Sequence, residues 1–182
     1  MTRVLLSLCG LLGLSLTLAA PAPYTASGGS ATFDYRVTVV NVKGTMQGVS
    51  SSVNLDTGDL AATTGTVTVP LSELKTGNGL RDSHAKGAGA LNTAQFKDAL
   101  FKLEKLTGGK LTEGQTLATT ASGQLSVKGV SKPVSVPVKA TLNAGRVSVS
   151  TQFKFNPLEY GVRYPGGADN ITVNVEFVLA AR

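Results

Sequence analysis

The chain has 182 residues and a formal net charge of +6, from 17 Lys and Arg against 11 Asp and Glu. The cations are spread along the sequence, aromatics make up only 5% and tryptophan is absent, so the basic runs and stacking platforms of a nucleic-acid groove are missing. One cysteine and one histidine exclude a thiolate cluster and argue against a transition-metal site.

Residues 1–19 are expected to form a secretory signal peptide and residues 20–182 a single domain. Arg3 supplies a short positive start, Val4 to Leu18 is nearly all apolar, and small residues follow at Ala19, Ala20 and Ala22. The apolar run of roughly 15 residues falls short of the roughly 20 that a spanning helix needs. Cys9 follows Leu8, which is not small, and lies too early in the run to be an acylation site. Cleavage would leave roughly 160 residues without a cysteine, enough for one core that rests on packing and backbone pairing rather than disulfides. The expected location is the periplasm or the cell exterior.

Beyond Ala26 the dominant period is two. Phe33, Tyr35, Val37 and Val39 alternate with Asp34, Arg36 and Thr38, and Val67 and Val69 with Thr66 and Thr68. Phe101 and Leu103 oppose Lys102 and Glu104, and Leu125 and Val127 oppose Ser126 and Lys128. Val134, Val136 and Val138 continue the pattern against Ser135 and Lys139. The last runs set Val147, Val149, Phe153 and Phe155 against Ser148, Ser150 and Lys154, then Ile171, Val173, Val175 and Phe177 against Thr172, Asn174 and Glu176. Turn signals separate these runs at Asp56 to Asp59, Thr107 to Lys110, Gly129 to Pro133 and Asn143 to Gly145. Many short antiparallel strands, each with one apolar and one wetted face, predict an all-β barrel or sandwich.

The stretch Lys75 to Phe101, KTGNGLRDSHAKGAGALNTAQFKDALF, breaks that pattern. Long irregular connections inside compact domains are uncommon and usually functional, so binding is expected around this loop. Short helical turns are expected here, one capped by Ser72 and running through Lys75, another over Leu80 to Lys86. The loop holds Arg81, Asp82 and His84, the only histidine. These three either meet the polar end of a ligand or form a structural cluster in which Asp82 caps a turn and Arg81 pairs with a carboxylate. A serine triad is not expected, because the adjacent Asp82, Ser83 and His84 do not direct consecutive side chains into that geometry. A second irregular stretch, Asn156 to Gly167, either lines the same mouth or merely joins strands.

At this point the chain resembles a known family. Thr76-Gly77, Arg81-Asp82, His84 and Phe101 match, in order and spacing, the SLxTG…RDxH…F pattern of YceI-like polyisoprenoid-binding proteins, with Leu71-Ser72 and Leu74 filling the hydrophobic approach. The run from Gly123 to Val134 is similar to that family's GxLxIxGxTxPV stretch, and Phe153, Phe155 and Tyr160-Gly161-Val162 to its aromatic segment near the C-terminus. The resemblance spans about Tyr24 to Ala180 and implies an extended, lipocalin-like antiparallel barrel of about eight strands. It also implies a lumen that holds the hydrocarbon chain of a polyisoprenoid, quinone-like or similar lipid. Departures are Arg36 where many members have a histidine, Ala90-Leu91 in place of an aromatic pair, and Lys97 in place of a proline after Phe96.

With that resemblance the expected function is a non-enzymatic, exported lipid-binding protein with no catalytic residue, no metal and no cofactor other than the bound lipid. The tail is expected among Phe33, Tyr35, Val37, Phe101, Leu103, Phe153, Phe155, Val175 and Phe177, with Arg81, Asp82 and His84 at the mouth. The alternative is a structural or stress-related envelope barrel whose interior those same side chains fill, since both need the same inward parity. Nucleic acid is not an expected partner. Scattered lysines allow a transient contact with anionic membrane surfaces, and an exposed edge strand would allow a homodimer.

Overall fold

The computed structural model describes residues 20–182, so the expected signal segment and Cys9 lie outside the described residues. Eight strands form a closed antiparallel barrel in sequence order: β1 (Ala22–Val37), β2 (Val40–Leu55), β3 (Thr64–Pro70), β4 (Asp98–Leu106), β5 (Thr116–Val127), β6 (Val130–Asn143), β7 (Arg146–Phe155) and β8 (Gly167–Ala181). Each strand pairs with its sequence neighbours and β8 closes on β1, with Phe33 opposite Val173 and Tyr35 opposite Ile171. Closure gives every strand two neighbours, so no strand is an edge over its whole length.

The inward positions follow the period of two. Phe33, Leu125, Val127, Val136, Val147, Val175 and Phe177 are buried, and Phe101, Leu103, Val149 and Phe153 pack against them. Gly44 interrupts the inward face of β2, and the reason is steric: a side chain there would collide with the Phe33 ring, which fills the space. One exception is the start of β2. Val39 was expected inward on the first strand, yet the chain turns at Thr38 and Val39, with Thr38 at φ 56°, and leaves Val39 79% exposed. The turn is made by Thr38 and Val39, both strand-forming residues, with no Gly, Asn or Asp at either position to mark it.

Up-and-down order fixes the ends of the barrel. The connections β1–β2, β3–β4, β5–β6 and β7–β8 gather at one end, and β2–β3, β4–β5 and β6–β7 at the other with the chain termini. The Lys128-Gly129 and Ala144-Gly145 hairpins use consecutive positive φ angles, 50° and 77°, then 48° and 74°, as two-residue hairpin loops require. Val130 already pairs with Val127, so Ser131, Lys132 and Pro133 belong to β6 and not to the expected turn.

Near the first of these ends β6 and β7 part. Their pairing runs only from Val138 and Thr151 to Asn143 and Arg146, leaving the start of β6 without β7 beside it. Pro133 and Pro137 sit in that unpaired stretch, where a missing N–H costs no ladder bond, and the Thr151 hydroxyl donates to the Pro137 carbonyl at 2.6 Å. The 3-10 turn Pro157–Tyr160 lies beside the gap. Its Tyr160 is buried against Leu125 and Val127, with its ring 5.3 Å from that of Phe155, edge to face.

Candidate functional site

The inward side chains leave a cavity of about 270 Å³ that touches all eight strands. Its deep end is closed by two loops pinned together. The Leu60 amide donates to the Gly109 carbonyl at 2.9 Å and the Leu111 amide to the Thr57 carbonyl at 2.8 Å, which seats both leucines under Leu106, Val147 and Leu179. All five are buried. Asp56 holds the first of these loops by accepting from the Gly58 and Asp59 amides, each at 2.9 Å.

The opposite end is bounded by the two long connections. Helix α1 (Gly79–Lys86) starts at Asn78, whose side chain accepts from the Arg81 amide at 3.0 Å. Asp82 then reaches back and accepts from both the Thr76 amide, at 2.8 Å, and the Thr76 hydroxyl, at 2.6 Å. That hydroxyl, together with the amide, holds the Asp82 carboxyl below the ordinary carboxylate range. After α1 the chain folds back on itself, with the Leu91 amide donating to Ala85 and the Asn92 amide to Gly87, at 3.0 and 2.9 Å. This turn presents Ala85, Ala90 and Leu91 to the cavity.

From the other side the β7–β8 connection contributes Pro157, Val162 and Tyr164. The two long connections are tied by Lys128, whose ammonium donates to the Gly161 carbonyl at 2.9 Å and to that of Gly89 at 3.5 Å. Tyr35 completes the rim. A side chain on Gly167 would run into the Tyr35 hydroxyl, so the glycine makes room for the ring. Burial, with the Asp169 carboxylate nearby, pushes the Tyr35 hydroxyl above its usual pKa. At this end Tyr35, Ala85, Leu91, Val162 and Tyr164 are only half-buried, so the cavity approaches solvent between the long connections.

The chemistry of the lining is narrow. It contains no Asp, Glu, Lys, Arg or His, and its polar groups are threonine hydroxyls and the two tyrosines. Such a surface offers no acid–base pair or charge to a reacting centre. It offers apolar burial: the Thr63 hydroxyl accepts from the Asp56 amide, and those of Thr119 and Thr151 donate to the Thr107 and Pro137 carbonyls, so these threonines are already engaged with the backbone.

A family model described as the YceI-like domain matches residues 24–180. The chain belongs to the YceI-like family. A UPF0312 protein of Enterobacter sp. (strain 638) is 32% identical over 96 residues, which cover 53% of this chain and 47% of that protein. The chain thus matches about half the length of that curated relative. Among solved structures, BcnA of Burkholderia cenocepacia superposes with a TM-score of 0.72 at 16% identity, over 82% of this chain and 95% of that one. A polyisoprenoid-binding domain from Saccharophagus degradans, implicated in plant cell wall breakdown, gives 0.70 at 15% identity, over 87% and 98%. The YceI protein of Campylobacter jejuni gives 0.64 at 20% identity, over 81% and 88%. At these identities the likeness establishes the fold: a closed, YceI-like antiparallel barrel.

Within this YceI-like barrel, Phe33, Tyr35, Phe101, Leu103, Phe153, Phe155, Val175 and Phe177 line the cavity. Val37 does not; it sits at the last register position of β1, opposite Val40, and packs against the core from the rim. Arg81, Asp82 and His84 are also outside the lining, because α1 turns Ala85 inward. Asp82 is engaged with Thr76, and His84 is exposed. Ser72 lies inside the 3-10 turn Leu71–Glu73 and does not cap it; Pro70 occupies the cap position. Sequence reasoning did not assign Met46, Leu60, Leu111, Val162 or Tyr164 to the lining. Strand parity alone would have placed the 156–167 connection beside the 71–97 connection, since both follow odd-numbered strands.

Proposed function

We propose that this protein is a non-enzymatic, exported binding protein that holds the hydrocarbon part of a long-chain amphiphile, of polyisoprenoid type, in the barrel lumen. The observation that carries this reading is the apolar cavity that runs from Leu60 and Leu179 to Tyr35 and Tyr164 with no ionisable group but the two tyrosines. At about 270 Å³ it is near the lower edge of the roughly 300–1,000 Å³ of small-molecule sites, and larger than the roughly 150 Å³ apolar cavity that stays dry and takes up benzene. Each buried methylene contributes about 0.8 kcal/mol, so about ten give about 8 kcal/mol, the free energy of a micromolar Kd. Binding on that scale needs no catalytic or charged group. The polyisoprenoid-binding domain of the same fold supports the choice of ligand class, and the N-terminal apolar segment supports export.

Phe101→Arg tests the reading. Phe101 lines the lumen on β4, and a guanidinium there would have to shed its water to share the space with a hydrocarbon tail. The folded variant should lose lipid that the wild-type protein retains through purification and releases into organic solvent. Equal lipid in both, with the barrel intact by circular dichroism, would refute it.

A further inference from the structure

The surface around the mouth is unlike the rest of the barrel. Seven large apolar side chains stand exposed among the described residues, and five of them, Val39, Val40, Leu80, Val130 and Leu158, lie in or directly beside the four connections at the mouth end. None lies in the three connections at the opposite end; the other two, Leu100 and Val178, are on strands. Val39 is 79% exposed at the tip of its hairpin and Leu80 69% exposed on the first turn of α1. Such side chains gain nothing from water, and neither contributes to the core.

Charge follows the same division. Residues 34–43, 70–98, 127–133 and 154–170, which build the mouth end, carry ten Lys and Arg against six Asp and Glu. The other described residues carry six against five. Exposed cations at the rim include Arg36, Lys75, Lys97 and Arg163. The connections that carry these groups are also fastened to one another: the Thr38 amide donates to the Gly166 carbonyl at 2.6 Å, Lys128 joins Gly161 to Gly89, and Lys132 pairs with Glu159 at 3.0 Å. The rim therefore presents its apolar tips and cations as one surface.

We propose that the mouth end docks on an anionic lipid bilayer, with Val39, Leu80, Val130 and Leu158 in the headgroup and acyl boundary and the rim cations over anionic headgroups. Interfacial binding of this kind scales with apolar area inserted plus attraction to anionic lipid, and both are concentrated here. Docking in this pose sets Tyr35, Val162 and Tyr164 at the membrane, so a lipid tail passes between bilayer and lumen without crossing water. The inference rests on the lumen-binding reading for its purpose.

The chain from Ala20, which contains the whole barrel, is sedimented with phosphatidylcholine vesicles and with vesicles that also contain phosphatidylglycerol. The anionic vesicles should bind it at least about tenfold more strongly. The preference should vanish when salt shortens the Debye length to about 3 Å. Val39→Ser/Leu80→Ser, which leaves charge unchanged, should lower binding to anionic vesicles about tenfold, and Lys97→Gln/Arg163→Gln should reduce the anionic preference. Equal binding to both vesicle types, or unchanged binding of both double variants, would overturn the inference. Native mass spectra of the same samples keep the two readings apart. Protein that carries a lipid adduct yet ignores vesicles overturns the docking surface and leaves lumen binding standing; protein that docks but carries no lipid does the reverse.

Discussion

Ala140→Leu separates a ligand-holding lumen from an idle gap. Ala140 is a buried position on β6 that lines the cavity, in register with Leu117 on β5 and Val149 on β7. A leucine there adds three carbons to the cavity. At about 0.8 kcal/mol for each buried methylene, their burial contributes up to about 2.4 kcal/mol, less about 0.5–1 kcal/mol of side-chain entropy. A net gain of about 1.5 kcal/mol in the unliganded protein corresponds to a rise of about 3–6 °C in Tm at this chain length. The same carbons occupy space that about three ligand methylenes would otherwise fill, so the Kd for a long-chain ligand should rise about 60-fold. Calorimetry of delipidated protein reads the first quantity, and displacement of a fluorescent fatty acid reads the second. A higher Tm with an unchanged Kd would place the ligand elsewhere. A lower Tm would show that β6 leaves no room at Ala140.

Gly167→Ala should destabilise the barrel by about 1–3 kcal/mol in urea unfolding, because its methyl group displaces Tyr35, and Tyr35→Phe should partly restore stability by removing the colliding hydroxyl. Asp82→Ala should expose the Thr76 amide to faster hydrogen exchange while the strand amides keep their protection. The pH dependence has a definite sign: the folded pKa of Asp82 is depressed, so its contribution is complete above the ordinary carboxylate value of about 3.9 and is lost as pH falls through the lower folded value. Thr76 protection should therefore decay only on acidification below that range, and decay at neutral pH would contradict the bond. Ala144→Asn places Asn-Gly in a hairpin already held at positive φ and should stabilise by about 0.5–1 kcal/mol, read as a higher urea midpoint.

Strand parity was the legible part of the sequence. Alternation from Phe101 to Leu103, from Phe153 to Phe155 and from Val173 to Phe177 predicted inward side chains that do face the lumen, because a half-buried strand leaves few other patterns open. The β1–β2 hairpin was not legible: Thr38-Val39 has strand-forming residues at its turn, and Gly44 and Gly48 break the alternation of β2 where Phe33 fills the space and Gly48 takes a positive φ of 83°. The mouth was legible as a place and not as residues. The loop carrying Arg81, Asp82 and His84 does lie at the rim, but an eight-residue helix shows only one face inward, and that face is Ala85. Tyr164 and Val162 needed the strand count, since the last connection shares an end of the barrel with the third strand's only because both follow odd-numbered strands.

The measurement that bears most directly on the account is native mass spectrometry of the protein purified from its own host in mild, detergent-free buffer, followed by organic extraction. One long-chain lipid for each barrel is expected, released into the organic phase and absent from the Phe101→Arg protein. A bare polypeptide mass under those conditions would contradict it and leave the barrel acting through its surface.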